Sequence, residues 1–122
     1  MNRDIKFRAK DRVTGQWVCG FPYYSSLGNW FILTETNKYH VMEETLGQFT
    51  GLKDKDGREI YEGDIVNYCD ENGKTRQGRI IYDTDFCSFC VFNPREVPVH
   101  LNVFFDFTIL GSIYDSKELP KQ

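Results

Sequence analysis

Cys87-Ser88-Phe89-Cys90 is the spacing in this chain that most directly suggests chemistry. Two thiols three residues apart can serve as half of a zinc site or as a redox pair. Zinc takes four ligands, from a second such pair or from histidines. Here the remaining candidates are the isolated Cys19 and Cys69, with His40 and His100. The apolar residues around the motif read as a strand, which sends positions i and i+3 to opposite faces. A thioredoxin-type pair also needs a strand–helix setting that this stretch lacks. Both cysteines are therefore read as small apolar side chains in a sheet, and no metal or cofactor is expected.

Asp54, Asp56, Glu59, Glu62 and Asp64 form an acidic cluster that suggests a hydrolytic carboxylate pair or a divalent-ion loop. Lys53-Asp54-Lys55-Asp56-Gly57 contains the D-x-D-G core of a calcium loop. Position 12 counted from Asp54 is Ile65, where such a loop needs a glutamate. The favoured reading is a tight Asp-Gly turn, with Asp64 capping the next one. Neither histidine has a serine or cysteine at motif spacing. No G-x-S-x-G, H-E-x-x-H, P-loop or G-x-G-x-x-G occurs. No catalytic constellation emerges, and an enzyme is not expected.

The third constellation is basic. Arg3, Lys6, Arg8, Lys10 and Arg12 oppose only Asp4 and Asp11, a net of three positive charges in twelve residues. On a strand, Lys6, Arg8 and Lys10 project together at about 7 Å intervals, near the phosphate spacing of extended nucleic acid. Trp17, Tyr23, Tyr24 and Trp30 follow closely and could stack bases. Lys6, Arg8, Lys10 and Trp17 are thus the candidate nucleic-acid contacts; the competing reading is a solvated strand face over an aromatic core. The chain as a whole carries a net charge of −3, which argues mildly against a general nucleic-acid binder.

The elements that must position these residues are mostly strands. Aromatics make up 16% of the chain and Ala9 is the only alanine, so the composition favours sheet over helix. Asp4–Lys10 alternates Ile5, Phe7 and Ala9 against Lys6, Arg8 and Lys10, which predicts a half-buried strand. Asp11–Gly15 predicts a hairpin turn and Gln16–Gly20 the returning strand. Pro22 is expected to break regular pairing, because proline lacks a donor. Short strands follow at 30–34, 39–42, 65–68, 75–82, 86–92 and 108–114. Asn72-Gly73 marks a hairpin, 43–49 is ambiguous between a helical turn and extended chain, and 116–119 reads as one terminal helical turn.

This pattern predicts a mainly β fold: a small barrel or sandwich of short antiparallel strands with little helix. The C-terminal half is similar to the opening strands of SH3-like barrels. A chain of 122 residues fits a single domain, with 1–47 and 48–122 as possible subdomains. No apolar leader follows Met1 and no run approaches a membrane span, so a cytoplasmic protein with reduced thiols is expected.

Gln48–Tyr68 is the densest stretch of turn residues between apolar pairs, and it predicts two tight turns rather than a helix. Thr50, Gly51, Leu52, Asp54, Gly57, Ile60, Tyr61, Glu62, Gly63 and Asp64 are its structural core: glycines at turns, with aliphatic and tyrosine side chains packing beside them. This stretch resembles the YopX family. So does Ile5–Asp11 with Thr14-Gly15, although Lys10 stands where family members usually carry tryptophan. So does Ile109-Leu110-Gly111-Ser112-Ile113-Tyr114, with Ser112 where the family has asparagine. The resemblance implies a mostly β protein of phage or prophage origin, acting in the bacterial host cytosol and able to oligomerise. It implies no catalytic residues. The expected function is a non-enzymatic binding module engaging a protein, a second copy included. The alternative is a nucleic-acid accessory protein using the basic N-terminal strand. No membrane contact and no small-molecule substrate is expected.

Overall fold

The computed structural model describes residues 4–69, 72–95, 98–101 and 106–115. The chain is mainly β and forms two antiparallel sheets; a 3-10 turn at Glu43–Thr45 is the only helical element among the described residues. The contacts divide the chain into two units, residues 1–49 and 50–122.

In the first unit the strands are β1 (Phe7–Lys10), β2 (Trp17–Tyr24), β3 (Trp30–Leu33), β4 (Lys38–His40) and the start of β5 (Gly47–Lys53). Their order is β4-β3-β2-β1-β5, all antiparallel. The β1–β2 hairpin follows from Asp11–Gly15, where the Asp11 carboxylate accepts the Val13 N–H at 2.8 Å and Gly15 takes a φ of 73°. Ala9, Ile32 and Val41 are buried at the centre, with Phe7, Val18, Trp30, Tyr39 and Leu46 packed around them. The ambiguous stretch before β5 resolves into the 3-10 turn. Its Thr45 hydroxyl accepts the Lys10 N–H at 2.9 Å and donates to the Met42 carbonyl at 2.6 Å.

Pro22 does not interrupt β2, against the sequence expectation. It sits opposite Ile32 within a continuous β2–β3 register from Phe21–Leu33 to Tyr24–Trp30. The reason lies in parity. Ser25 N–H donates to the Asn29 carbonyl at the hairpin end, so Tyr23 and Phe21 direct their N–H groups toward β3 while Pro22 faces away. On that other side the β1 pairing has already ended at Gly20, so the missing donor has no partner to lose.

The second unit takes up β5 from Thr50, with β6 (Glu59–Tyr61) beside it. Five strands make the other sheet: β7 (Asp64–Cys69), β8 (Thr75–Asp83), β9 (Ser88–Phe92), β10 (Val99–His100) and β11 (Thr108–Ser112). Their order is β10-β9-β8-β7-β11. The register of β11 on β7 slips between Ile109 and Gly111, a bulge that leaves Leu110 facing solvent. Ile60, Val66, Tyr68, Ile80, Val91 and Phe107 form the core, with Leu52, Leu101 and Ile109 against it. Both sheets have two distinct end strands, so the closed-barrel form of the expectation gives way to open sheets. Asp70-Glu71, just before the expected Asn72-Gly73 turn, and the terminal turn expected at 116–119 lie outside the described residues. Among those described, no helix is long and apolar enough to cross a membrane.

Candidate binding face

Residues paired across an antiparallel sheet share a face, so the registers fix what the first unit presents on each side. One face carries Phe7, Ala9, Val18, Pro22, Trp30, Ile32 and Tyr39, the residues of the core and its border. The opposite face carries Arg8 and Lys10 on β1 and Trp17, Cys19, Phe21 and Tyr23 on β2. It continues with Phe31 and Leu33 on β3 and Lys38 and His40 on β4. Phe21 is 62% exposed and Tyr23 45%; Lys38, His40 and Cys19 are exposed as well.

Cations and rings interleave across this face. The Arg8 guanidinium lies 4.1 Å from the centre of the Trp17 ring and the Lys10 ammonium 5.3 Å from the same ring. Lys6 stands 5.3 Å from the Phe49 ring, and Lys38 4.8 Å from Phe31. Phe31 in turn packs on His40 at 5.0 Å and on Tyr23 at 6.4 Å between ring centres. Each close cation–ring pair contributes roughly 0.5–1 kcal/mol at an exposed site. Strands β1 to β4 contain three basic residues (Arg8, Lys10 and Lys38) and no acidic one.

The four sequence candidates, Lys6, Arg8, Lys10 and Trp17, are therefore brought together. All four are half-buried; Arg8 and Lys10 lie over the Trp17 ring and Lys6 over Phe49, where a row of solvated cations was expected. Trp30 and Tyr24 belong to the opposite face, where their rings meet at 5.0 Å. The residues that sequence reasoning missed are Phe21, Phe31, Lys38 and His40. For Phe21 the signal was the odd-numbered alternation through Cys19, Phe21 and Tyr23, hidden when Pro22 was taken to end the strand; Phe31, Lys38 and His40 join it only through the β2–β3 and β3–β4 registers.

The acidic cluster in the second unit is committed to its own turn. The Asp54 side chain is fully buried. One carboxylate oxygen accepts the N–H groups of Asp56 and Arg58, each at 2.9 Å. The other accepts the Arg58 guanidinium at 3.0 and 3.1 Å and the Ile109 N–H at 3.3 Å. Burial by itself would raise the Asp54 pKa. The Arg58, Ile109 and Asp56 N–H groups and the Arg58 charge outweigh it and hold the carboxyl below its ordinary value. Both oxygens thus face donors rather than an open cation position.

The neighbouring motif residues also hold the turns. The Thr50 hydroxyl donates to the Ile60 carbonyl at 2.8 Å, and Leu52 N–H donates to Thr50 at 3.2 Å. Asp64, buried, accepts the Tyr61 N–H at 2.8 Å, and the Tyr61 hydroxyl donates to Glu59 at 3.1 Å. Glu62 is half-buried between them. Gly57 takes positive φ in the Asp54 turn, whereas Gly51, expected at a turn, takes its positive φ inside β5; a Cβ at either would meet open space. Gly63 differs: at a φ of 90°, its N–H donates to Ile80, its carbonyl accepts from Ile113, and a Cβ there would stand 2.9 Å from the Tyr114 ring.

Cys87 and Cys90 part company. Cys87 sits in the turn before β9 at a φ of 52° and is exposed, a correction to its reading as a strand residue. Cys90 is buried on β9; burial pushes its thiol pKa up, and the Asp83 charge adds to the shift. Among the described residues no three His, Cys, Asp or Glu side chains stand close enough to share a metal ion.

Two further arrangements lie in the second unit. Ser88 Oγ and His100 Nδ1 are 2.7 Å apart on neighbouring strands, a juxtaposition invisible from their spacing in sequence. The other described contact of His100 is the Phe86 ring at 5.3 Å, so no described carboxylate orients the imidazole as a nucleophile–base pair requires. A separate hollow of about 680 Å³ is lined by Ile65, Gln77, Arg79, Phe92, Asn93 and Arg95, and Arg79 lies over the Phe92 ring at 5.3 Å.

A protein-family sequence model described as YopX protein matches residues 6–121, nearly the whole chain. A search of curated proteins found no match.

Proposed function

The chain belongs to the YopX family, and from that footing we propose that it is a phage- or prophage-encoded, non-enzymatic binding module. Its binding surface is the outer face of the sheet in the first unit. The observation behind this reading is the run of Phe21, Tyr23, Phe31, Lys38 and His40, in which Phe21 and Tyr23 stand exposed on a regular strand rather than on a loop tip, beside the half-buried Phe31. Aromatic side chains on a rigid sheet supply large contact area at low ordering cost, the property of interface anchors. At the acidic turn the Asp54 carboxylate is already bonded to three backbone N–H groups and the Arg58 guanidinium. The expected place of action is the cytoplasm of the bacterial host.

The test is a paired pull-down from prophage-carrying bacteria, with the wild-type chain and a Phe21→Ser/Tyr23→Ser variant that melts like the wild type. A species that co-elutes with the wild type and is lost with the variant supports the reading. Identical co-eluting material from both removes this face as the binding surface.

A further inference from the structure

We propose that this face takes single-stranded nucleic acid, with bases stacked on Phe21 and Tyr23 and phosphates drawn to the cations set between the rings. The inference rests on the reading of the face as a binding surface and names its partner.

Three observations converge on it. Phe21 and Tyr23 are two residues apart on one strand, so their rings lie about 7 Å apart along it. Both are exposed, and Phe21 has no ring partner among the described residues. An unstacked base can lie flat on such a ring, whereas a duplex keeps its base faces inside the helix. Next, the cations are distributed around the rings: Arg8 and Lys10 flank Trp17, Lys38 flanks Phe31, and Lys6 flanks Phe49. Lys38 is exposed and best placed to meet phosphate directly, while Lys6, Arg8 and Lys10 are half-buried against their rings. Last, β1 to β4 hold no acidic residue, although the chain carries 18 Asp and Glu against 15 Lys and Arg. The acidic residues of this unit, Asp4, Asp11, Glu35, Glu43 and Glu44, lie in the segments outside these strands, so a polyanion meets no like charge on the strands themselves.

The same charge pattern argues against a second copy as the occupant. A two-fold pairing through this face would bring the Arg8, Lys10 and Lys38 charges of both copies into one interface. Like charges brought together in this way oppose docking.

The experiment is fluorescence anisotropy with a labelled oligothymidylate and a mixed-sequence RNA, each about 20 nucleotides long, against a duplex of the same length. Single strands are expected to bind more tightly than duplex. The logarithm of affinity should fall with the logarithm of salt at a slope of about −0.7 for each phosphate neutralised, giving about −0.7 to −2.8 for one to four contacts. Phe21→Ala and Tyr23→Ala should each weaken binding about tenfold, and Lys38→Glu should weaken it and flatten the salt slope.

Absent binding to either single strand overturns the proposal, as does binding unchanged in the Phe21→Ala/Tyr23→Ala variant with its melting intact. Sedimentation of the same variant separates the two levels of the argument. If oligonucleotides do not bind but the double substitution abolishes self-association or a captured protein, the nucleic-acid inference falls and the binding face stands. If neither property changes, both fall.

Discussion

Replacing Asp54 with asparagine isolates the turn that organises the second unit. The substitution keeps the shape and one oxygen, which can retain the Asp56 and Arg58 N–H bonds at 2.9 Å. The new amide NH2 then faces the Arg58 guanidinium and the Ile109 N–H, three donors with nothing to accept them. Hydrogen bonds to a charged group contribute about 1.5–3 kcal/mol each, and a buried donor left unpaired costs about 1–3 kcal/mol. Arg58 is 54% exposed and can recover water contacts, so its share lies at the low end. The expected loss is about 3 kcal/mol, or roughly 12 °C in Tm for a chain of this size.

The pH dependence carries an independent signature. The folded-state pKa of Asp54 lies below its unfolded value, so its stabilisation is present above the unfolded pKa. It is lost as pH falls through the lower folded value. Urea titrations of wild type and Asp54→Asn should differ by about 3 kcal/mol at neutral pH, and the difference should narrow as the pH falls below the ordinary carboxylate range. A difference under about 1 kcal/mol at neutral pH, or one that stays constant into acid, would refute the reasoning.

Gly63→Ala should destabilise by about 2–4 kcal/mol, combining left-handed strain with a 2.9 Å approach to the Tyr114 ring, whereas Gly57→Ala, at a similar φ in open space, should cost only about 1 kcal/mol. Equal losses in chemical denaturation would rule out the Tyr114 contact as the cause. Pro22→Ala should change stability by less than about 1 kcal/mol, because the restored N–H faces the side where β1 has ended. A gain well beyond that would mean a strand hydrogen bond had been waiting there. Native alkylation read by peptide mass should label Cys69 and Cys87 readily and leave Cys90 unmodified until the chain unfolds. Labelling of Cys90 at the rate of Cys87 would show that β9 opens without global unfolding.

Local pattern alone determined most of the strands. The alternation of Phe7-Arg8-Ala9-Lys10 placed Ala9 in a core and Arg8 away from it, because period two is a property of the extended backbone. The Asp-Gly turn was equally legible. Asp54 and Gly57 act within five residues, and a short side chain bonding to its own backbone needs nothing from elsewhere. A mainly antiparallel β fold also follows from short, turn-bounded strands, but sequence left closure undecided, since closure depends on which end strands meet.

What the tertiary structure decided is everything that crosses strands. Pro22 looked like a break because sequence shows the missing donor but not the side on which it is missing. Only the β2–β3 register and the early end of β1 show that nothing there required it. That single point hid the face on which Phe21 and Tyr23 meet Phe31, Lys38 and His40. The Ser88–His100 contact and the Ile109 N–H that completes the Asp54 carboxylate were beyond sequence for the same reason. Residues twelve and fifty-five positions apart are neighbours only once strand pairing has fixed the register, and no periodicity within one strand encodes the register of the next.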